Sequence, residues 1–267
     1  MPLCRLCKHE YVSLRESHII PKMFYNVIKK NSLIGFMRQT DNPNQSIQDG
    51  IKLPFLCAEC EELFSKYEKA FSDSIYQNTV KNKGEIQFNS RNDKLAYFLL
   101  SISWRVVKYT HEKNLINLTC NEWVKLNEIL EKWEKLLLAE DMNEIRKIEQ
   151  FIIPTKDLKF FKDMPFRSYD NILMDFKTFD SDDTYNFSFT LVQVPYFIFI
   201  TTFWGHTNSM KQYKLGRIIK AYSSQLPKDI TLCLTDLHYN KYFEAYNKIS
   251  DKQKKTIERR LERKKSI

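Results

Sequence analysis

Leu3-Cys4-Arg5-Leu6-Cys7-Lys8-His9 opens the chain, and Leu56-Cys57-Ala58-Glu59-Cys60-Glu61-Glu62-Leu63-Phe64 answers it further on. Each half holds a C-x2-C knuckle, a turn tight enough to aim two sulfurs at one point. Two knuckles supply four thiolates, the tetrahedral set that Zn2+ takes in a structural site, where no position is left for water. The spacing therefore predicts one structural Zn2+ on Cys4, Cys7, Cys57 and Cys60. His9 follows the first knuckle and could stand in for a sulfur, but four thiolates make this unnecessary. The 49 residues between the knuckles exceed what a compact ribbon needs and imply an insertion. Cys120 and Cys233 lie singly in apolar-patterned segments, where buried core thiols are expected.

Working outward, Leu63, Phe64, Tyr67, Phe71 and Ile75 recur at helical spacing, which puts Cys60 in the first turn of a helix running from Ala58 to about Asn78. Upstream, 51–56 reads as a strand entering the second knuckle, 42–50 as a loop, and 11–20 as a segment of strand character ended by Pro21. A short helix is expected over 22–30, since proline is tolerated in a first helical turn. Hairpin, knuckle and helix together make a treble-clef-like arrangement. From 92 to about 152 the apolar spacing is helical, with Asp93 and Asn121 as N-cap candidates. After Pro154, 185–194 and 196–204 read as two strands joined near Pro195, and helical patterns return over 211–223 and 239–265. The expected class is α+β: a zinc-stabilised treble-clef or ββα unit over 1–80, then a mostly helical region over 81–267 with a short β-hairpin or small antiparallel sheet and a basic C-terminal tail.

Composition narrows the function. With 267 residues, 43% of them hydrophobic, the chain has apolar mass for one large or two small cores, which excludes disorder and fibrous repeats. Only 5 glycines occur, and no P-loop or dinucleotide fingerprint is present. The longest nearly unbroken apolar stretch, 194–204, is about half of the roughly 20 residues a membrane-spanning helix needs. The N-terminus carries charges and cysteines where a secretory signal needs an apolar core. A cytoplasmic protein with no membrane partner is expected. The formal net charge is +9, and residues 251–267 alone carry eight Lys or Arg against Asp251, Glu258 and Glu262. A polyanion, DNA or RNA, is the natural partner of such a tail, with Lys254, Lys255, Arg259, Arg260 and Arg263 as candidate phosphate contacts. The alternative is a solvated helix end that serves solubility.

Between the knuckles lies Arg15-Glu16-Ser17-His18-Ile19-Ile20-Pro21. His-Ile-Ile-Pro together with both knuckles resembles the HNH, or ββα-metal, endonuclease superfamily over about the first 70 residues. The zinc-bearing branch of that family has C-x2-C before a strand ending in Asp-His-Ile-x-Pro, and a second Leu-Cys-x2-Cys-Asn opening the helix. The resemblance implies that His18 is a general base activating water and that Glu61 holds a catalytic divalent ion, Mg2+ or Mn2+, separate from the zinc. Ser17 stands where the family has an Asp ligand and Glu61 where it has Asn or His, so a further carboxylate would have to come from Glu16, Glu62 or Glu68. Glu61, Ser65 and Glu68 fall along one side of a helix. The implied activity is cleavage of nucleic-acid phosphodiesters, and family members of this size imply a role in bacterial defence against phage, with a protein partner in a defence complex. On the residues alone, two other readings stand. His18 can hydrogen-bond a nearby carboxylate and pin the hairpin, and glutamates in a first helical turn also answer the helix dipole. The protein would then be a non-catalytic, zinc-stabilised nucleic-acid-binding module or interaction subunit.

Overall fold

A computed structural model describes residues 1–32, 35–115, 120–156, 158, 160, 174–179, 187–205, 207–220, 226–236 and 241–265. The chain opens in a turn closed by Cys4 N–H on the His9 carbonyl and Lys8 N–H on the Cys4 carbonyl, both at 3.0 Å. Lys8 turns the corner in the left-handed region, at φ 61°. β1 (Arg15–His18) follows, and after Pro21 α1 (Lys22–Asn31) buries Phe24, Tyr25, Val27 and Ile28. A minimal hairpin pairs β2 (Met37–Arg38) with β3 (Ser46–Ile47), the latter inside the segment 42–50 read as a loop. β4 (Lys52–Leu56) pairs antiparallel with β1, placing Ser17 opposite Leu53 and His18 opposite Lys52. It runs through Cys57 directly into α2 (Ala58–Phe71).

The helix expected to about residue 78 continues to 81, but not as one regular coil. α2 passes through a π-helical turn, Ser72–Tyr76, into α3 (Gln77–Lys81). Ser74 and Thr79 hydroxyls donate back to the Ala70 and Ile75 carbonyls at 2.6 and 2.9 Å, the kind of competition with the helical ladder that bends and widens it.

Next come β5 (Gln87–Asn89), α4 (Asp93–Glu112), α5 (Cys120–Ala139) and the single turn α6 (Met142–Ile145). The cap of α4 is Asn92, one residue before the expected Asp93; its side chain accepts from Lys94 N–H at 2.9 Å. The side chain of Asn121 lies outside the described residues. α4 is buried on almost every side, as a helix through the centre of a core must be. Leu126, Leu130, Trp133 and Leu137 of α5 are buried at the spacing the sequence presents.

Four antiparallel strands, β6 (Gln150–Pro154), β7 (Asp175–Phe179), β8 (Phe187–Val194) and β9 (Phe197–Gly205), form a sheet in the order β6-β9-β8-β7. β8 and β9 turn at Pro195-Tyr196, with Tyr196 at φ 73°. Both faces of the sheet are covered, which is why its strands run apolar instead of alternating with polar residues. Phe197 and Phe199 join the main core with α4, whereas Ile198 and Ile200 join a smaller cluster with Met210, Tyr213, Ile230, Cys233 and Leu234. Cys233 is the buried thiol expected; the side chain of Cys120 lies outside the described residues.

Of the helix expected over 211–223, 221–223 lie outside the described residues, and over 211–220 the sequence pattern misleads. In place of a helix, a 3-10 segment, Asn208–Tyr213, ends at Lys214, and β10 (Ile218–Lys220) pairs with β5. Gly216 at φ 94° and the β-branched pair Ile218-Ile219 favour an extended ribbon over a helix. α7 (Lys228–Leu234), α8 (Lys241–Asn247) and α9 (Asp251–Lys265) complete the described chain. The expected helix over 239–265 breaks at 248–250, where Ser250 N–H donates to Asn44 Oδ1 at 2.8 Å and the Lys248 carbonyl accepts from Asn44 Nδ2 at 3.0 Å.

The main core runs without interruption across residue 80. Phe71 stacks on Phe98 with ring centroids 4.2 Å apart, Tyr67 stacks on Tyr97 at 3.7 Å, and Phe24 meets Phe199 at 6.1 Å. The N-terminal unit and the sheet are therefore halves of one apolar structure. Phe71→Ala should cost about 3–5 kcal/mol in denaturant unfolding and preserve a single transition seen by probes in both halves. Two separated transitions would contradict the shared core.

Candidate metal centre and the residues around His18

The knuckle turn, the end of β4 and the first turn of α2 bring the sulfurs of Cys4, Cys7, Cys57 and Cys60 within 4.8 Å of one another. Cys7 and Cys57 Sγ lie 3.9 Å apart, close to the edge of about 3.8 Å that a tetrahedron with metal–sulfur bonds of about 2.3 Å requires. The four could hold a metal ion, and both spacing and donor set suit Zn2+. Cys4 is fully buried, and Cys57 N–H points at its sulfur at 3.3 Å. The hydrogen bond from Cys60 and backbone N–H groups of Cys57, Cys7 and Leu6 pull the Cys4 thiol down to about 4. Cys4 and burial push the Cys60 thiol up in turn, and burial pushes Cys57 up, so negative charge in the cluster settles on Cys4 with Cys60 as its donor. The Tyr11 hydroxyl sits 3.7 Å from Cys7 Sγ as an outer neighbour.

Charged contacts lock the first knuckle onto the helices. Arg5 Nε meets Glu112 at 2.8 Å, and Lys8 Nζ meets Glu134 at 2.8 Å. Glu134 is almost buried and also accepts from Trp104 Nε1 at 3.3 Å, so the carboxylate is satisfied where its burial would otherwise be costly.

β1 then presents neighbouring side chains to different partners. Ser17, fully buried, donates its hydroxyl to Glu61 Oε2 at 2.5 Å. His18 Nε2 lies 2.8 Å from Asp49 Oδ1, and Lys52 Nζ lies 2.5 Å from Asp49 Oδ2. Partial burial alone would raise the Asp49 carboxyl, but Lys52, His18 and Gly50 N–H together hold it well below the usual carboxylate range. Arg105, buried in mid-α4, donates to the His18 carbonyl at 3.1 Å and to Glu68 Oε1 at 2.7 Å.

The residues singled out in the sequence thus fall into separate sets. Glu61 is joined to Ser17, Glu68 to Arg105, and His18 to Asp49. Among the described residues, the four cysteines are the one group of three or more His, Cys, Asp or Glu side chains whose ligand atoms converge. Asp49, inside a segment read as a plain loop, is the partner sequence reasoning missed; Asp49-Gly50 just before the second strand was the available signal. Lys254, Lys255 and Arg259 are exposed on α9, whereas the side chains of Arg260 and Arg263 lie outside the described residues. His206 and His238 also lie outside them, and His111 packs edge-on against Trp123. Comparison with family models, with curated proteins and with solved structures finds no match. Among the described residues, no helix is long and apolar enough to cross a membrane.

Metal analysis of the purified chain should find one zinc per molecule. Cys57→Ser should lose that zinc and destabilise the fold, because the four-cysteine site does not exist in the unfolded chain, so that metal-binding energy is also folding energy. Retention of the metal with unchanged thermal unfolding would contradict the assignment.

Proposed function

We propose that this chain is an HNH-like, metal-dependent endonuclease that cleaves phosphodiesters of DNA or RNA, built on a treble-clef-like unit with a structural Zn2+ at the four cysteines. The observation that carries the reading is the pairing of β1 with β4 and the passage of β4 through Cys57 into α2. This sets consecutive residues Ser17 and His18 beside two carboxylates, Glu61 on the helix and Asp49 on the approach to β4. His18 is the group suited to taking a proton from water near neutral pH. Glu61, with the Ser17 hydroxyl, offers oxygens to a hard cation of the kind that keeps most of its waters and binds through one or two carboxylates. Mg2+ or Mn2+ there would neutralise charge on the phosphate. Glu68 is better read as the anchor of Arg105, which in turn fixes the His18 main chain.

The exposed lysines and arginine of α9 provide a sequence-independent hold on the phosphate backbone. The resemblance that motivates the catalytic reading also implies a role in defence against phage, with a protein partner. A second reading, a nucleic-acid-binding module that does not cut, is favoured by the separation of Glu61, Glu68 and His18 into three differently partnered sets.

Full-length protein should cleave DNA or RNA with Mg2+ or Mn2+, and His18→Ala should reduce the rate by about 10²- to 10⁴-fold while zinc content and nucleic-acid affinity stay unchanged. Wild-type protein that binds but cuts neither polymer would select the second reading.

Replacing Lys254, Lys255 and Arg259 by alanine should weaken binding equally for all sequences. The slope of log K against log salt should flatten by up to about 3, one unit for each phosphate that is no longer neutralised. An unchanged slope would assign these charges to solubility.

A further inference from the structure

We infer that Asp49 is a positioning residue for His18, holding the imidazole with its proton on Nε2 so that Nδ1 is the nitrogen presented to the reacting water. The inference rests on His18 being the base of the proposed reaction and names the residue that sets its tautomer.

Asp49 has all its described partners on the donating side. Oδ1 faces His18 Nε2 at 2.8 Å and accepts Gly50 N–H at 2.9 Å, while Oδ2 faces the Lys52 ammonium at 2.5 Å. A carboxylate so surrounded stays ionised and can only accept, so the ring nitrogen beside it must carry a proton. A neutral imidazole carries one proton, which leaves Nδ1 with its lone pair. Among the described residues, His18 makes no hydrogen bond through Nδ1, and 16% of its side-chain surface stays exposed.

The placement is built, not incidental. β1 and β4 are in register with His18 opposite Lys52, so Asp49, three residues before Lys52, folds back over the pair. Gly50 lies flat against Tyr25 of α1: a Cβ there would come 1.8 Å from Tyr25 Cζ, so only glycine lets the chain pass and deliver Asp49. The Tyr25 ring also flanks the imidazole, centroids 6.0 Å apart. Arg105 holds the His18 carbonyl at 3.1 Å. Among the described residues, Lys52, Asp49, Arg105 and Tyr25 face His18 from β4, its preceding loop, α4 and α1.

Ring 15N NMR on full-length, zinc-loaded protein, at a pH where His18 is neutral, tests the inference directly. The wild type should show the Nε2–H form. Asp49→Asn should lose that preference, because the amide can turn its N–H2 toward the ring while its oxygen serves Lys52. In cleavage assays Asp49→Asn should lower kcat by about 10²-fold or more, leave KM and nucleic-acid affinity near wild type, and be partly rescued in Asp49→Glu. A wild-type ring protonated on Nδ1, or an Asp49→Asn ring indistinguishable from wild type, would overturn the inference. If the wild type cuts nothing yet shows an Asp49-dependent Nε2–H ring, the endonuclease reading fails and the positioning of His18 by Asp49 stands.

Discussion

Four sulfurs converging within 4.8 Å tie the first turn of the chain to the end of β4 and the start of α2, segments about fifty residues apart in sequence. A metal there would add to the ion pairs and buried side chains that hold the knuckle and β1. β1 is four residues long and pairs with one five-residue strand, and a two-stranded ribbon of that length is marginal in water. A metal at the thiolates would fix Cys57 as the residue from which α2 departs, and with it the direction in which Glu61 and Ser17 meet. Arg5, between the first knuckle's cysteines, and Lys8, just after them, reach Glu112 and Glu134, so the cysteine cluster is braced by the helical layer.

The same economy appears at Arg105. A guanidinium in the middle of a buried helix is costly unless its donors are used, and here one arm reaches the His18 carbonyl and the other Glu68. The result joins α4, α2 and β1 at one point. The aromatic core does the rest, with Phe71 packed against Phe98 and Phe197, and Phe24 against Tyr76 and Phe199. The sheet thus supports the N-terminal unit directly, although no glycine-rich or charged linker in the sequence announces where one unit ends.

Much of this was legible from local pattern. The C-x2-C pairs located the cysteine cluster, and 3.6-residue spacing located α2, α4 and α5. Unbroken apolar runs around Pro195 located β8 and β9. What escaped were features decided by partners far along the chain. Ile218–Lys220 is a strand because β5, some 130 residues earlier, offers an edge. The helix break at 248–250 exists because Asn44 satisfies its backbone. Asp49 has no periodicity to mark it; its meaning comes from the register that sets Lys52 opposite His18. Glu68 shares a helix side with Glu61, but the buried Arg105 claims it, and no pattern within α2 could show that.

X-ray absorption at the zinc edge of the purified full-length protein tests the central claim most directly. The account predicts a single shell of four sulfurs at about 2.3 Å, from Cys4, Cys7, Cys57 and Cys60. A shell containing nitrogen or oxygen in place of a sulfur, or fewer than four sulfurs, would contradict it.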